Sequence, residues 1–378
     1  MNYKIKELCE ITSSRRIFAK EYKDNGVPFY RSQEIIELSI TGKTSPTIFI
    51  SKERFDSIVN SGLCVPKKGD ILMSAIGANR GYPWLVNIEP FYFKDGNVIW
   101  FRKFNPICNS KFLKYYLSTT NFINMIQKSS EHSAQGAITL DLIRDIEISL
   151  PTLEKQQHIV NTIGSVDDLI ENYQQRIAVI CNILDISLKA YAEKVAIEYY
   201  NPKIIKSGIT KFDKSKTYID TSTLEGINNI SDGEVIEYNK RPSRANMQPT
   251  KDSVWFAKMK ESNKKLILTK QDDDLINNII LSTGFSGILA SEQLPLSFLS
   301  AVIISKEFNL QRDLNSVGTT MAGVNNETFL KILVPLLTDK ELKEYELKYR
   351  PYIDELSLLR RKINQLKKIK AELLSKYF

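Results

Sequence analysis

Two histidines and four cysteines are all that 378 residues offer for thiol chemistry or a soft metal. The cysteines (Cys9, Cys64, Cys108, Cys181) lie far apart with no Cys-x-x-Cys, which argues against zinc and reads as reduced, mostly buried apolar side chains. His132 reads as a loop residue, and His158 as a packing or solvated residue on a helix. No Gly-x-x-x-x-Gly-Lys-Ser/Thr phosphate loop occurs, nor the Asp/Asn-Pro-Pro-Tyr/Phe of an amino-methyltransferase. Gly284-Phe-Ser-Gly fits no dinucleotide fingerprint and reads as a turn between strands. Glu341-Leu-Lys343 and Glu346-Leu-Lys348 imitate the acidic-x-Lys end of a nuclease site, but in a charge-rich helical segment such spacing arises by chance. No stretch approaches the ~20 apolar residues of a membrane span. The opening Met1-Asn-Tyr-Lys-Ile-Lys-Glu lacks the apolar centre of a signal peptide, so a cytoplasmic protein without membrane contact is expected. What is absent is catalytic equipment. The expectation is a binding protein that itself holds no metal and no cofactor.

What is present is a repeat. At a fixed offset of 186, residues 324–377 keep phase with the 54 that end at Tyr191: Ile138 falls on Val324, Thr152 on Thr338, Ile163 on Tyr349 and Ile177 on Ile363. A repeat of this length means two copies of one structural unit. Each copy contains an apolar seam at 4-3 spacing. The first runs Ile159, Ile163, Val166, Ile170, Tyr173, Ile177, Ile180, Leu184; the second runs Tyr349, Tyr352, Leu356, Leu359, Ile363, Leu366. A lone heptad helix leaves its stripe in water, so the two are expected to pair antiparallel. Thr152 can cap the first helix, which is expected to run to about residue 198 with Pro202 ending it. Pro351 either kinks the second helix or lies in its first turn.

Before each helix lies a mixed segment. In the first, Ile71-Leu-Met, Trp84-Leu-Val and Asn97-Val-Ile-Trp-Phe read as strands, and Asn109–Ser129 as one helix with Phe112, Tyr115, Tyr116, Phe122, Met125 and Ile126 on one face. In the second, Ser253-Val-Trp-Phe-Ala, Lys265-Leu-Ile-Leu-Thr and Asn278-Ile-Ile-Leu read as strands. The fold class is therefore α+β: two mixed α/β globules, at 1–150 and 201–337, separated by two long helices, at 151–200 and 338–378, in a pseudo-twofold tandem repeat.

The net charge of +8 is uneven: +5 over 1–150, −3 over 151–200, +2 over 201–337 and +4 over 338–378. A basic chain suits an anionic partner, and nucleic acid needs cations for phosphates with planar or amide groups for base edges. The first globule groups Arg15, Arg16, Tyr30, Arg31 and Gln33, with Asn79 and Arg80 after a strand and a glycine turn. The second packs Lys240, Arg241, Ser243, Arg244, Asn246 and Gln248 into one loop, and Lys258, Lys260, Lys264 and Lys265 are candidates for phosphates.

The order of several short motifs resembles the specificity (S, or HsdS) subunits of type I restriction–modification systems. Ile5-Lys-Glu-Leu-Cys-Glu-Ile-Thr-Ser with Gly26-Val-Pro-Phe-Tyr-Arg is similar to the family's opening, and Lys68-Gly-Asp-Ile-Leu-Met-Ser-Ala-Ile-Gly to its strand–turn–strand core. Ser133-Ala-Gln-Gly-Ala-Ile-Thr-Leu through Ile146-Glu-Ile-Ser-Leu-Pro into Glu154-Lys-Gln-Gln-His-Ile resembles the junction between recognition domain and helix. Gly318-Thr-Thr-Met-Ala-Gly-Val-Asn-Asn through Ile332-Leu-Val-Pro-Leu repeats it, although Leu337-Thr-Asp-Lys-Glu-Leu lacks the Glu-x-Gln-Gln. Pro242-Ser-Arg-Ala with Ser253-Val-Trp-Phe-Ala-Lys-Met resembles a second recognition domain.

The resemblance implies two target recognition domains, each reading half of a split double-stranded DNA sequence, and a helical spacer that fixes their separation. It also implies two modification (methyltransferase) subunits docked on the helices, with restriction (motor-nuclease) subunits joining. S-adenosylmethionine, ATP and magnesium would then sit on those partners. The S-like component of a fused methyltransferase–nuclease system is the alternative within this reading. A coiled-coil scaffold without a DNA role is the alternative outside it.

Overall fold

A computed structural model describes residues 1–62, 64–130, 136–231, 233–318 and 322–378; His132, Asp232, Thr319, Thr320 and Met321 lie outside them. The chain forms two compact units, residues 1–168 with 368–378 and residues 169–367.

The first unit holds two four-stranded sheets. One runs in the order Glu10–Thr12, Val98–Arg102, Ile71–Ser74, Pro83–Leu85 and is antiparallel throughout. The other runs Tyr22–Lys23, Phe49–Ile50, Val27–Tyr30, Tyr92–Phe93, with a parallel pair between the last two. The second unit repeats this plan. Its antiparallel sheet is Lys203–Ile204, Phe285–Leu289, Ser253–Ala257, Lys265–Leu268. Its other sheet is Glu234–Ile236, Lys216–Ile219, Ile279–Ser282, Ala245–Met247, also with one parallel pair, here the two inner strands. The strands expected from β-branched and aromatic runs all form. Of Gly284-Phe-Ser-Gly only Gly284 lies in the turn, because Phe285 to Gly287 pair with Trp255 to Ala257 as strand. A β-carbon at Gly287 would meet the Trp255 ring at 2.5 Å.

The junctions repeat residue by residue. Thr139 caps Leu140–Asp145 as Asn325 caps Asn326–Leu330, at the offset of 186. Strand Glu147–Ser149 pairs with Asn2–Lys4, and Leu333–Pro335 pairs with Lys194–Ala196. The Ile5 N–H donates to the Ile146 carbonyl at 3.0 Å, and the Ile197 N–H to that of Ile332 at 2.8 Å. Asn2 and Lys194 are 192 apart, so the duplication begins six residues out of step with its end. The second globule is shorter by those six.

This pairing corrects the expected helix to residue 198. The first long helix spans Leu153–Ser187, followed by a 3₁₀ turn at Leu188–Ala190 and the strand at Lys194. Ile197 and Tyr200 are buried in the second unit's core. Burying such side chains is worth roughly 1.5–3 kcal/mol each, more than helix propensities of under ~1 kcal/mol per residue can resist. The single helix expected over Asn109–Ser129 is likewise two, Ser110–Leu117 and Thr120–Ser130. Thr119 makes the break, its hydroxyl accepting from the Phe122 N–H at 3.3 Å. Met125, placed with the apolar face, is instead exposed.

The second long helix is continuous over Asp339–Tyr377, through Pro351. Proline removes the bond to the Leu347 carbonyl, and both residues face water, where that carbonyl can be solvated. Thr338 and Glu341 form the capping box that Thr152 and Lys155 lack. Within each unit the two helices run antiparallel. In the second, Arg176 pairs with Glu355, the Lys362 amine lies 5.4 Å over the Tyr173 ring, and the Ser187 hydroxyl meets that of Tyr345. In the first, Lys370 pairs with Asp167, and the His158 and Tyr377 rings meet edge-on at 6.4 Å. The seam is not helix against helix alone. Ile159 and Ile163 enter the first globule's core, and Ile180 and Leu184 join Leu356 and Leu359 in that of the second. Val166 and Ile363 are also buried, whereas Ile170, Tyr173, Ile177, Tyr349, Tyr352 and Leu366 remain partly open.

Candidate nucleic-acid interface

The side chains grouped by sequence divide sharply once their partners are known. In the first unit Tyr30 is 4% exposed, packed on Phe91 at 4.9 Å and Trp84 at 6.3 Å between ring centroids. Its phenol belongs to the core, which corrects the expectation that it faces DNA. A strand puts alternate residues inside, and Tyr30 shares its buried face with the apolar Trp84 and Phe91.

Arg31 is also committed. It caps the helix Ser32–Thr41 together with Glu34, donating to that carboxylate from its N–H at 2.8 Å and from its guanidinium at 2.7 and 3.3 Å. Burial raises the Glu34 pKa, but the Arg31 guanidinium and N–H outweigh it and hold the carboxyl below its ordinary range. Arg80 clasps the helix Thr120–Ser130 through the Ser130 hydroxyl at 2.9 Å and the Gln127 carbonyl at 3.3 Å, while the Gln127 amide returns a bond at 2.9 Å. Gly81 next to it has φ +92°, and a β-carbon there would strike Ile126 at 2.6 Å. Arg16 pairs with Asp95 at 3.0 Å on the surface, and Gln33 bonds Glu37 at 3.1 Å. Asn79 is exposed at a turn. Arg15 is exposed, and no partner holds its guanidinium among the described residues.

In the second unit Lys240 pairs with Glu237 at 2.9 Å. Arg241 lies 4.3 Å over the Tyr238 ring and donates to the Tyr238 carbonyl at 2.6 Å. Ser243 and Arg244 are exposed. Asn246 sits in the strand Ala245–Met247, its carbonyl accepting from Gly208 at 2.8 Å. Gln248 is half-buried, its amide oxygen without a partner among the described residues.

Of the lysines proposed for phosphates, Lys265 is 1% exposed. Its amine donates to the Ile304 carbonyl at 3.2 Å and lies 5.7 Å from the Phe308 ring centroid. Burial, reinforced by the nearby Arg312, pushes its pKa down to about 7. It belongs to the core. Lys264 and Lys258 are tethered to the Thr221 and Thr283 carbonyls, leaving Lys260 exposed and open.

The structure also adds a cationic loop that the sequence grouping missed. Lys206, Lys211 and Lys214 are exposed, and Lys216 lies 5.3 Å over the Phe212 ring. Phe212 meets Tyr238 edge-on at 5.5 Å, which places this loop beside Arg241. The signal was legible as a run of lysines with one aspartate, Asp213, among them. Among the described residues no group of three or more His, Cys, Asp or Glu could hold a metal, and no helix is long and apolar enough to cross a membrane.

The junction motif has a structural meaning too. Gln156 is fully buried: its amide oxygen accepts from the Asn109 N–H at 2.8 Å, and its nitrogen donates to the Ile107 and Pro151 carbonyls at 2.8 and 2.9 Å. Leu342 stands at the equivalent place in the second half and is buried among apolar side chains. The missing Glu-x-Gln-Gln is thus an apolar plug exchanged for a polar one.

The family model of the type I restriction modification DNA specificity domain matches residues 1–182. The match covers a little under half of the chain. A curated protein of Haemophilus influenzae, bearing the name of a type I restriction enzyme specificity subunit, is 27% identical over 156 residues. That match takes in 41% of this chain and spans only 37% of the relative's own length. Two crystal structures align over 100% of the chain at 13% identity. One is a type I restriction–modification S subunit from M. genitalium (96% of that chain, TM-score 0.48), the other an HsdS subunit from Thermoanaerobacter tengcongensis (95%, TM-score 0.35). The matched residues are followed by a second globule that also has two four-stranded sheets and repeats the junction strands.

Proposed function

We propose that the chain is the DNA specificity subunit of a type I restriction–modification complex. One observation carries this reading: the first half matches the specificity-domain model, and its strand pairing, junction and long helix recur in the second half with different surface loops. Duplicated frames with unlike loops suit a bipartite target, one half-site for each globule. Two weak readers on one frame gain effective concentration, so neither needs to bind tightly alone. The two helices serve as the frame and as docking surfaces for two modification subunits, with restriction subunits joining that core. S-adenosylmethionine, ATP and magnesium belong to those partners, and the chain contributes recognition without catalysis.

Mapping methylated adenines in cells that express the chain with its modification subunit tests the proposal. The expected result is a motif of two short specified halves around an unspecified gap. A continuous motif would overturn it. A protein-binding scaffold would direct no methylation at all.

A further inference from the structure

Of the chain's fourteen arginines, twelve have their guanidinium engaged by a carboxylate, a carbonyl, a hydroxyl or an aromatic ring. The two left without a partner among the described residues are Arg15 and Arg244, one in each unit, and both are exposed. Their backbones, by contrast, are pinned. The Arg15 N–H donates to the Tyr92 hydroxyl at 2.9 Å, and the Ser14 hydroxyl beside it donates to the Phe93 carbonyl at 2.7 Å. The Arg244 carbonyl accepts two N–H groups, from Thr283 and Asn246, each at 2.9 Å.

Their places in the two folds also correspond. Tyr92–Phe93 is the strand that pairs in parallel with Val27–Tyr30, and Ile279–Ser282, which leads into Thr283, is the strand that pairs in parallel with Lys216–Ile219. The two arginines sit at different points of the chain, Arg15 after the strand Glu10–Thr12 and Arg244 before Ala245–Met247, but each backbone is bonded at or just beyond the equivalent parallel strand of its own unit. Gly284 keeps space open beside the second one, since a β-carbon there would sit 3.0 Å from the Arg244 guanidinium.

A fixed backbone with an uncommitted planar fork is what guanine readout requires, because bidentate contact to O6 and N7 tolerates little misplacement. We infer that Arg15 and Arg244 are the guanine-reading side chains of the two recognition domains, one for each half-site. Arg31, Arg80 and Arg241 hold loops in place instead. The inference rests on the specificity-subunit reading and narrows it from thirteen candidate residues to two base readers.

The test is methylation mapping with the full chain and its modification subunit, comparing the unaltered protein with Arg15→Ala, Arg244→Ala and Arg244→Lys. Each alanine variant should lose discrimination at one guanine position, by roughly 5- to 150-fold against the other bases, in one half-site only, and in opposite halves for the two residues. Arg244→Lys keeps the charge without the fork and should relax the same position as Arg244→Ala. Uniform weakening on all sequences, with a shallower salt dependence, would make the residues phosphate contacts and overturn the inference. So would relaxation of the same half by both. An unaltered chain that directs no bipartite motif would sink the specificity-subunit reading itself, whereas an intact motif in Arg15→Ala and Arg244→Ala would sink only the assignment.

Discussion

Fourteen arginines look alike in a sequence, and their partners alone tell them apart. Arg80 and Gln127 are 47 positions apart, and Arg360 reaches Asp272 and the Ile267 carbonyl from another element altogether. That last pair is fully buried, with the Ser357 hydroxyl donating to the same carboxylate at 2.6 Å. Burial raises the Asp272 pKa, but the Arg360 guanidinium dominates and holds it down to about 2.

Lys265 is the opposite case, a cation buried without a carboxylate bonded to it. Burial disfavours its charge most, the Arg312 charge adds to that, and Asp185 and Asp313 pull the other way. The ordinary lysine pKa near 10.4 applies to the unfolded chain, and the folded value is about 7. Between those two the unfolded state binds more protons, so stability rises with pH. The cost of burying the charge is fully present below pH ~7 and gone above ~10. Denaturant titrations of Lys265→Met against the unaltered chain should show the variant's relative stability greatest near pH 6 and declining steadily as pH rises through 7 to 9. A difference independent of pH would mean that the amine stays charged in the fold.

At the scale of elements, the heptad spacing correctly announced two long helices, but not where the first one stops. Helix and strand compete for residues 188–200, and the strand at Lys194–Ala196 wins through its pairing with Leu333–Pro335, a partner that no local pattern reveals. Pro351 shows the converse, a breaker overruled by context. The surrounding Arg350 braces its turn by bonding Glu346, Asp354 and Asp252, each at 3.1 Å. Proline in a helix interior is less favourable than alanine by up to ~3 kcal/mol. Pro351→Ala should accordingly raise the melting temperature by several degrees, read by circular dichroism at 222 nm. A lowered midpoint would show that the proline is favourable where it stands.

For the whole molecule, the informative contrast lies between repeated frames and unlike loops. The junction strands, caps and helix starts match position for position, whereas the lysine-rich loop with Lys206, Lys211 and Lys214 belongs to the second globule alone. If those three amines meet phosphates, each contributes about one unit to the slope of log affinity against log salt. Replacing all three with alanine should flatten that slope by about three in a binding titration of the assembled complex, without altering the methylated motif. An unchanged slope would remove the loop from the interface.

The sequence by itself determined the duplication, the two seams and the six strands read from apolar runs in the two globules. These follow from short-range periodicity and residue type, which survive any packing. Only the tertiary structure decided that Tyr30 and Lys265 are core residues, that the first helix ends at Ser187, and that Arg15 and Arg244 alone keep free guanidinium groups among the described residues. Burial and hydrogen-bond satisfaction depend on groups brought together from distant positions, so a cation fit for DNA and one spent on its own fold share the same letter.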